Sequence, residues 1–192
     1  MPYRPTKITK RAGRYVARLL ITELPADRLY HNLHHTIDVV QGVILIGRAE
    51  AISGEEAEVL MLAAWFHDLG HIRTYAGHEA VSAQLARDFL RSEHYPEDKT
   101  TIVTSCILAT HVPQRPRGKL QEILCDAELI HLSHATYPQS RDLLREEWKR
   151  SLGRVYSDDE WNAENENFLR DHRYFTPYGK TALQQRKEKY CF

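Results

Sequence analysis

Apolar residues recur along this chain at intervals of three and four, and nowhere alternate with polar ones for long enough to make a convincing strand. A period near 3.6 marks a helix with one buried face, whereas period two marks a half-buried strand. The pattern therefore predicts an all-α fold. Residues 6–24 carry Ile8, Tyr15, Leu19 and Leu20 among basic side chains, and Pro25 ends that segment. Residues 26–50 follow with Leu29, Leu33, Ile37, Val40 and Ile44 as an apolar stripe.

Two capping boxes mark helix starts. Ser53-Gly54-Glu55-Glu56 and Ser157-Asp158-Asp159-Glu160 each set a serine at the cap and a glutamate three residues on, satisfying N–H groups that the first turn leaves unpaired. The first opens a helix through Val59, Leu60, Leu62, Ala63 and Phe66 that runs out near Gly70. The second opens a helix through Trp161 and Phe168. Gly77 and Tyr95-Pro96 bracket a helix over 78–93. Further helices are predicted over 97–110, 119–133 and 139–152, with a two-proline loop at 112–118 and a stop at Gly153. A turn at Thr176-Pro177-Tyr178-Gly179 leads into a charged C-terminal helix. The 192 residues hold no repeat or low-complexity segment. They suit one domain over 1–192, with a core at about 26–133 and the terminal helices packed on it.

Charge and cysteine usage narrow the functional classes. Lys+Arg and Asp+Glu both number 26, so no net positive field draws the chain to a nucleic-acid duplex. The three cysteines, Cys106, Cys125 and Cys191, show no CxxC spacing, which points to a reduced, cytoplasmic setting. The N-terminus has no apolar stretch of a signal peptide, and the apolar runs at 39–46 and 59–66 are too short to span a bilayer.

The chemistry-bearing residues are histidines and aspartates. His67-Asp68 closes the apolar run Ala63-Ala64-Trp65-Phe66, where a charge-capable pair is costly to desolvate unless something binds it. His31 and His35 stand four residues apart and share a face if the helix spans both; His34 points about 100° away from His35. Hydrolysis of a phosphate ester needs a metal to polarise the phosphoryl oxygen and generate a hydroxide near neutral pH. It also needs a general acid for the leaving oxygen. His35, His67, Asp68 and Asp126 are candidates for the first need. His31, with an imidazole's pKa range, is the candidate for the second. A mixed His/Asp set suits Mn, Fe, Zn, Co or Ni better than Ca.

The order His35, His67-Asp68, Asp126 resembles the HD-domain superfamily of metal-dependent phosphohydrolases. The resemblance covers roughly His31 to Leu132, about half the chain. It implies a helical HD-domain bundle and names His35, His67, Asp68 and Asp126 as ligands of one metal. Tyr30-His31-Asn32-x-x-His35-x-x-Asp38-Val39-x-Gln41 is also similar to the signature of cyclic-nucleotide phosphodiesterases, in which the first histidine donates the proton and the second binds metal. The chain is far shorter than the mammalian-type catalytic domains, so the resemblance is to small bacterial HD-domain hydrolases, and a cyclic-nucleotide substrate does not follow. Some members hold two metals bridged by the Asp of the doublet. His78 and His111 fall where the added histidines of such a site would.

The expectation is therefore a phosphohydrolase for a small phosphate ester or nucleotide, in which His31 and Asp68 carry the catalysis. It would work with a divalent transition metal at one site and a second site open, without membrane or nucleic-acid duplex, and with a homodimer left open. Two alternatives stand beside it: a dinuclear iron oxygenase using His78 and His111, and a non-catalytic nucleotide-binding module. His71 is unassigned because Gly70 breaks the helix before it. Asp38 is either an orienting partner of a ligand histidine or exposed. His34, His94, His131, His134 and His172 read as surface or capping residues. Glu79 reads as a helix N-terminal charge, and Arg73, Arg115, Arg117 and Lys119 as solvated.

Overall fold

A computed structural model describes residues 5–191. Among them are nine α-helices, two 3-10 turns and one π turn, with no strand. The helices are α1 (Lys7–Glu23), α2 (Leu33–Ala49), α3 (Gly54–Phe66), α4 (His78–Ser92), α5 (Glu97–Ala109), α6 (Lys119–Glu128), α7 (Tyr137–Leu152), α8 (Asp158–Asp171) and α9 (Gln184–Cys191). No helix among the described residues is long and apolar enough to cross a membrane.

The middle of the fold is α3. Its capping box forms as predicted, with Glu56 N–H donating to Ser53 Oγ and Ser53 N–H donating to Glu56 Oε2. Nearly all of its side chains from Ala57 to Phe66 are buried, on every side of the helix. A helix that is apolar all round is stable only when surrounded, and α3 is packed by α1, α2, α4, α5 and α6. This burial delivers His67 and Asp68, the residues that follow Phe66, to the centre of the molecule.

The second helix begins later than the apolar stripe suggests. Asn32 is its N-cap, and its side-chain oxygen accepts from the N–H groups of His34 and His35. Residues 26–31 form a loop, so His31 precedes the helix rather than sharing a face with His35. Packing of α2 on α6 is close: a Cβ on Gly42 would stand 3.1 Å from the Cβ of Ala127. A shorter α6 is likewise observed, since it ends at Glu128 and the chain continues as a 3-10 turn, Ile130–Ser133.

Beyond that turn, α7 and the C-terminal segment fold back over the core. Lys187 of α9 is fully buried and donates to the carbonyls of Leu169 (3.0 Å) and His172 (2.9 Å), which lie at the C-terminal end of α8. A cation there satisfies carbonyls that the last turn leaves unpaired.

Candidate metal centre

Three helices meet at one point. His35 comes from the first turn of α2, His67 and Asp68 from the end of α3, and Glu128 from the last residue of α6. His35 Nε2 and His67 Nε2 each lie 3.3 Å from Asp68 Oδ2, and the two ring nitrogens are 3.4 Å apart. Glu128 Oε1 is 3.7 Å from His35 Nε2. On the other side of the carboxylate, His78 Nε2 lies 3.3 Å from Asp68 Oδ1.

The histidines are oriented by their second nitrogens. His67 Nδ1 donates to the Ala64 carbonyl at 2.8 Å, and His78 Nδ1 to the Tyr75 carbonyl at 3.0 Å. A carbonyl only accepts, so each Nδ1 carries a proton, and each Nε2 faces Asp68, where it holds a second proton or is open to a cation. Backbone orientation of this kind is what metal-binding histidines use.

The field of the site calls for positive charge. Burial opposes ionisation of Asp68, but the neighbouring His67 and His35 hold its carboxyl well below the ordinary aspartate value. Burial likewise works against charge on His67 and His78, and Asp68 overrides it, raising each to about 9. Glu128 adds a carboxylate at a helix C-terminus, where the backbone dipole disfavours negative charge unless a cation stands by.

These residues fit a divalent transition metal on three grounds. Asp68 Oδ2 is buried and has no hydrogen-bond partner, although two imidazole nitrogens are near it. An ion with bonds of about 2.0–2.2 Å holds adjacent ligand atoms roughly 3.0–3.5 Å apart, which is the spacing of His35, His67 and Asp68. Two imidazoles with carboxylates are the donor set of Zn, Fe, Mn, Co and Ni.

The expected set is corrected at two positions. Asp126 does not join the cluster: its Oδ1 accepts from Phe175 N–H (2.7 Å), and its Oδ2 from the N–H (2.9 Å) and hydroxyl (2.7 Å) of Thr176. Asp126 and Glu128 are two residues apart on one helix, so their side chains diverge by about 200°. Glu128 takes the side facing His35, and Asp126 anchors the C-terminal segment. His111 is exposed past the end of α5 and belongs to neither group of ligand atoms described here.

A second group lies beside the first. The ligand atoms of His31, Asp68 and His71 all fall within 4.8 Å of one another, as do those of His35, His67 and Glu128. His71 is completely buried, its ring stacked against those of His31 (4.3 Å) and His78 (3.9 Å). Burial, with His31 next to it, drives its pKa down to about 2. Gly70 makes this placement feasible: a Cβ there would stand 2.1 Å from the His78 carbonyl oxygen, and Gly70 N–H donates to Ser82 Oγ at 2.8 Å. The glycine lets the Leu69–Ile72 turn press directly onto the start of α4.

One residue of the site lies far along the chain. Glu147 of α7 is fully buried, and its carboxylate accepts from His31 Nδ1, from the N–H groups of Tyr30 (2.7 Å) and His31 (3.0 Å), and from the Tyr75 hydroxyl (2.9 Å). Nothing in a charged, weakly apolar helix distinguishes Glu147 from its neighbours Glu146 and Arg145. Only its position on the inward face does.

The remaining expectations fall out individually. His34 and His94 are not buried, in keeping with the surface reading. His131 and His172 are half-buried instead: Tyr30 Oη and His131 Nδ1 share a hydrogen bond (2.9 Å), and the Tyr30 ring packs on His35 at 4.8 Å. Glu79 is in the first turn of α4 but buried, 3.7 Å from His78 Nε2. Asp38 pairs with His34 at 3.9 Å. Arg73 pairs with Glu23, and Lys119 donates to the Glu50 carbonyl.

The family model described as HD-CE matches residues 13–180, most of the chain. No curated protein and no solved structure matches it.

Proposed function

The chain belongs to the HD-CE family, and from that membership and the geometry of the centre we propose that it is a metal-dependent phosphohydrolase for a small phosphate ester or nucleotide. The observation that carries this reading is the triangle of His35 Nε2, His67 Nε2 and Asp68 Oδ2, with the unpartnered carboxylate oxygen at one corner.

His35, His67, Asp68 and Glu128 would hold the cation. When bound, a divalent ion there supplies Lewis acidity to a phosphoryl oxygen and lowers the pKa of water. The protein's own residues do the rest. Glu147 takes the proton-bearing Nδ1 of His31 and fixes the ring, so Nε2 is the atom that delivers a proton to the leaving oxygen. Tyr75 and the Tyr30 and His31 N–H groups hold Glu147 in turn, so the donor is set before substrate arrives. Burial of the whole cluster strengthens each of these electrostatic interactions.

The test is metal content together with turnover of a panel of phosphoesters. Asp68→Ala should lose the bound ion and depress kcat/KM by a factor of about 10^3 or more. A variant that kept full metal and full activity would be incompatible with this reading.

A further inference from the structure

We propose that His31, Asp68 and His71 form a second cation site, and that its occupancy turns the enzyme off. The inference rests on the reading of His31 as proton donor given above.

His71 is the starting point. It is fully buried, and neither of its ring nitrogens has a hydrogen-bond partner. A neutral imidazole carries one donor and one acceptor, and a buried group left unpaired costs about 1–3 kcal/mol. Both His31 and His78 stack against its ring, so a partner for the nitrogens has to come at the ring edge. The ligand atoms of His31, Asp68 and His71 lie within 4.8 Å of one another. Opposed ligand atoms on an ion with bonds of about 2.0–2.2 Å are about 4.0–4.4 Å apart, so a small inward shift brings all three onto one ion. Two imidazoles and a carboxylate again make a set for a borderline divalent metal. An anion fits less well, because Asp68 forms part of the group and Glu147 stands behind His31.

The consequence follows from one atom. Glu147 occupies Nδ1 of His31, so a cation can bind that ring only at Nε2. Nε2 is also the position from which the proton reaches the leaving oxygen. The ion and the proton exclude each other there. The first cation, on His35, His67, Asp68 and Glu128, makes the enzyme active, and a second on His31, Asp68 and His71 makes it inactive. Asp68 has two oxygens to share: Oδ2 lies 3.3 Å from His35 and His67, and Oδ1 lies 3.3 Å from His78, whose ring stacks on His71.

Metal-free protein titrated with Zn²⁺, followed by calorimetry and elemental analysis beside phosphoester turnover, tests the proposal. Wild type should take two equivalents in separable steps, with activity highest at one and at least tenfold lower at two. His71→Phe keeps a stacked ring without nitrogens; it should bind one equivalent and show no loss at excess metal relative to its own maximum. His71→Gln, which is smaller, serves the same purpose if the phenylalanine variant does not fold. A single equivalent in wild type, a second equivalent without inhibition, or a second equivalent retained in both variants would each overturn the proposal. One equivalent with turnover and no second would remove this inference alone. Two equivalents without turnover of any phosphoester would remove the hydrolase reading and the inhibitory role with it.

Discussion

At the scale of residues, the site depends on side chains with no freedom to be replaced by near relatives. Glu147 is the clearest case. Burial raises its pKa, but the hydrogen bond and charge of His31 outweigh that and leave it below the ordinary glutamate value. A carboxylate depressed on folding contributes stability above its unfolded pKa, and that contribution is lost as pH falls through the folded value. Glu147→Gln should therefore cost about 2–4 kcal/mol at neutral pH and flatten the acid limb of stability below about pH 4, as read by denaturant unfolding across pH. Gly70 is constrained by space instead of charge. Gly70→Ala places a methyl against the His78 carbonyl, so a loss of about 1–3 kcal/mol or more is expected, with weaker metal binding as α4 is pushed off.

At the scale of elements, α6 turns its two carboxylates to different sides, Glu128 toward His35 and Asp126 toward Phe175 and Thr176. Glu128→Gln should reduce metal affinity with little change in stability. Asp126→Asn should do the reverse, leaving metal content intact while lowering the unfolding free energy by about 1–3 kcal/mol, because it weakens the hold on Phe175 and Thr176. Parallel elemental analysis and urea unfolding of the two variants distinguish these roles. This division also marks where the sequence could be read and where it could not. The Ser53 box, the apolar run behind it and the ordered His35, His67 and Asp68 are local signals, and local signals specify α3 and the doublet. The choice between Asp126 and Glu128 depends on the rotational phase of α6 against α2, which a one-dimensional pattern does not carry. The start of α2 was visible in Asn32, a good cap, but the apolar residue Leu29 before it extended the helical pattern into a loop. Glu147 was beyond reach because its partners, Tyr30, His31 and Tyr75, lie 72 to 117 residues away in the chain.

At the scale of the whole molecule, the centre ties together segments that are otherwise separate. An ion bound by α2, the end of α3 and α6 favours the folded state by mass action. Saturating metal at about 100 times its Kd should raise the melting temperature by about 5–10 °C, and a chelator should reverse the gain, as followed by circular dichroism. The proposed metal ligands and the proposed proton donor have different supports. Helices of the core hold the ligands, and α7 holds His31 through Glu147. Loss of that strut would spare the electrophilic half of the chemistry and impair only departure of the alcohol. Phenolic leaving groups of low basicity depart without a proton, whereas alkoxides do not. On the proposed mechanism, the placement of one carboxylate on an outlying helix would make tolerance of poor leaving groups a separable trait, adjustable by changes in α7 that leave His35, His67, Asp68 and Glu128 untouched.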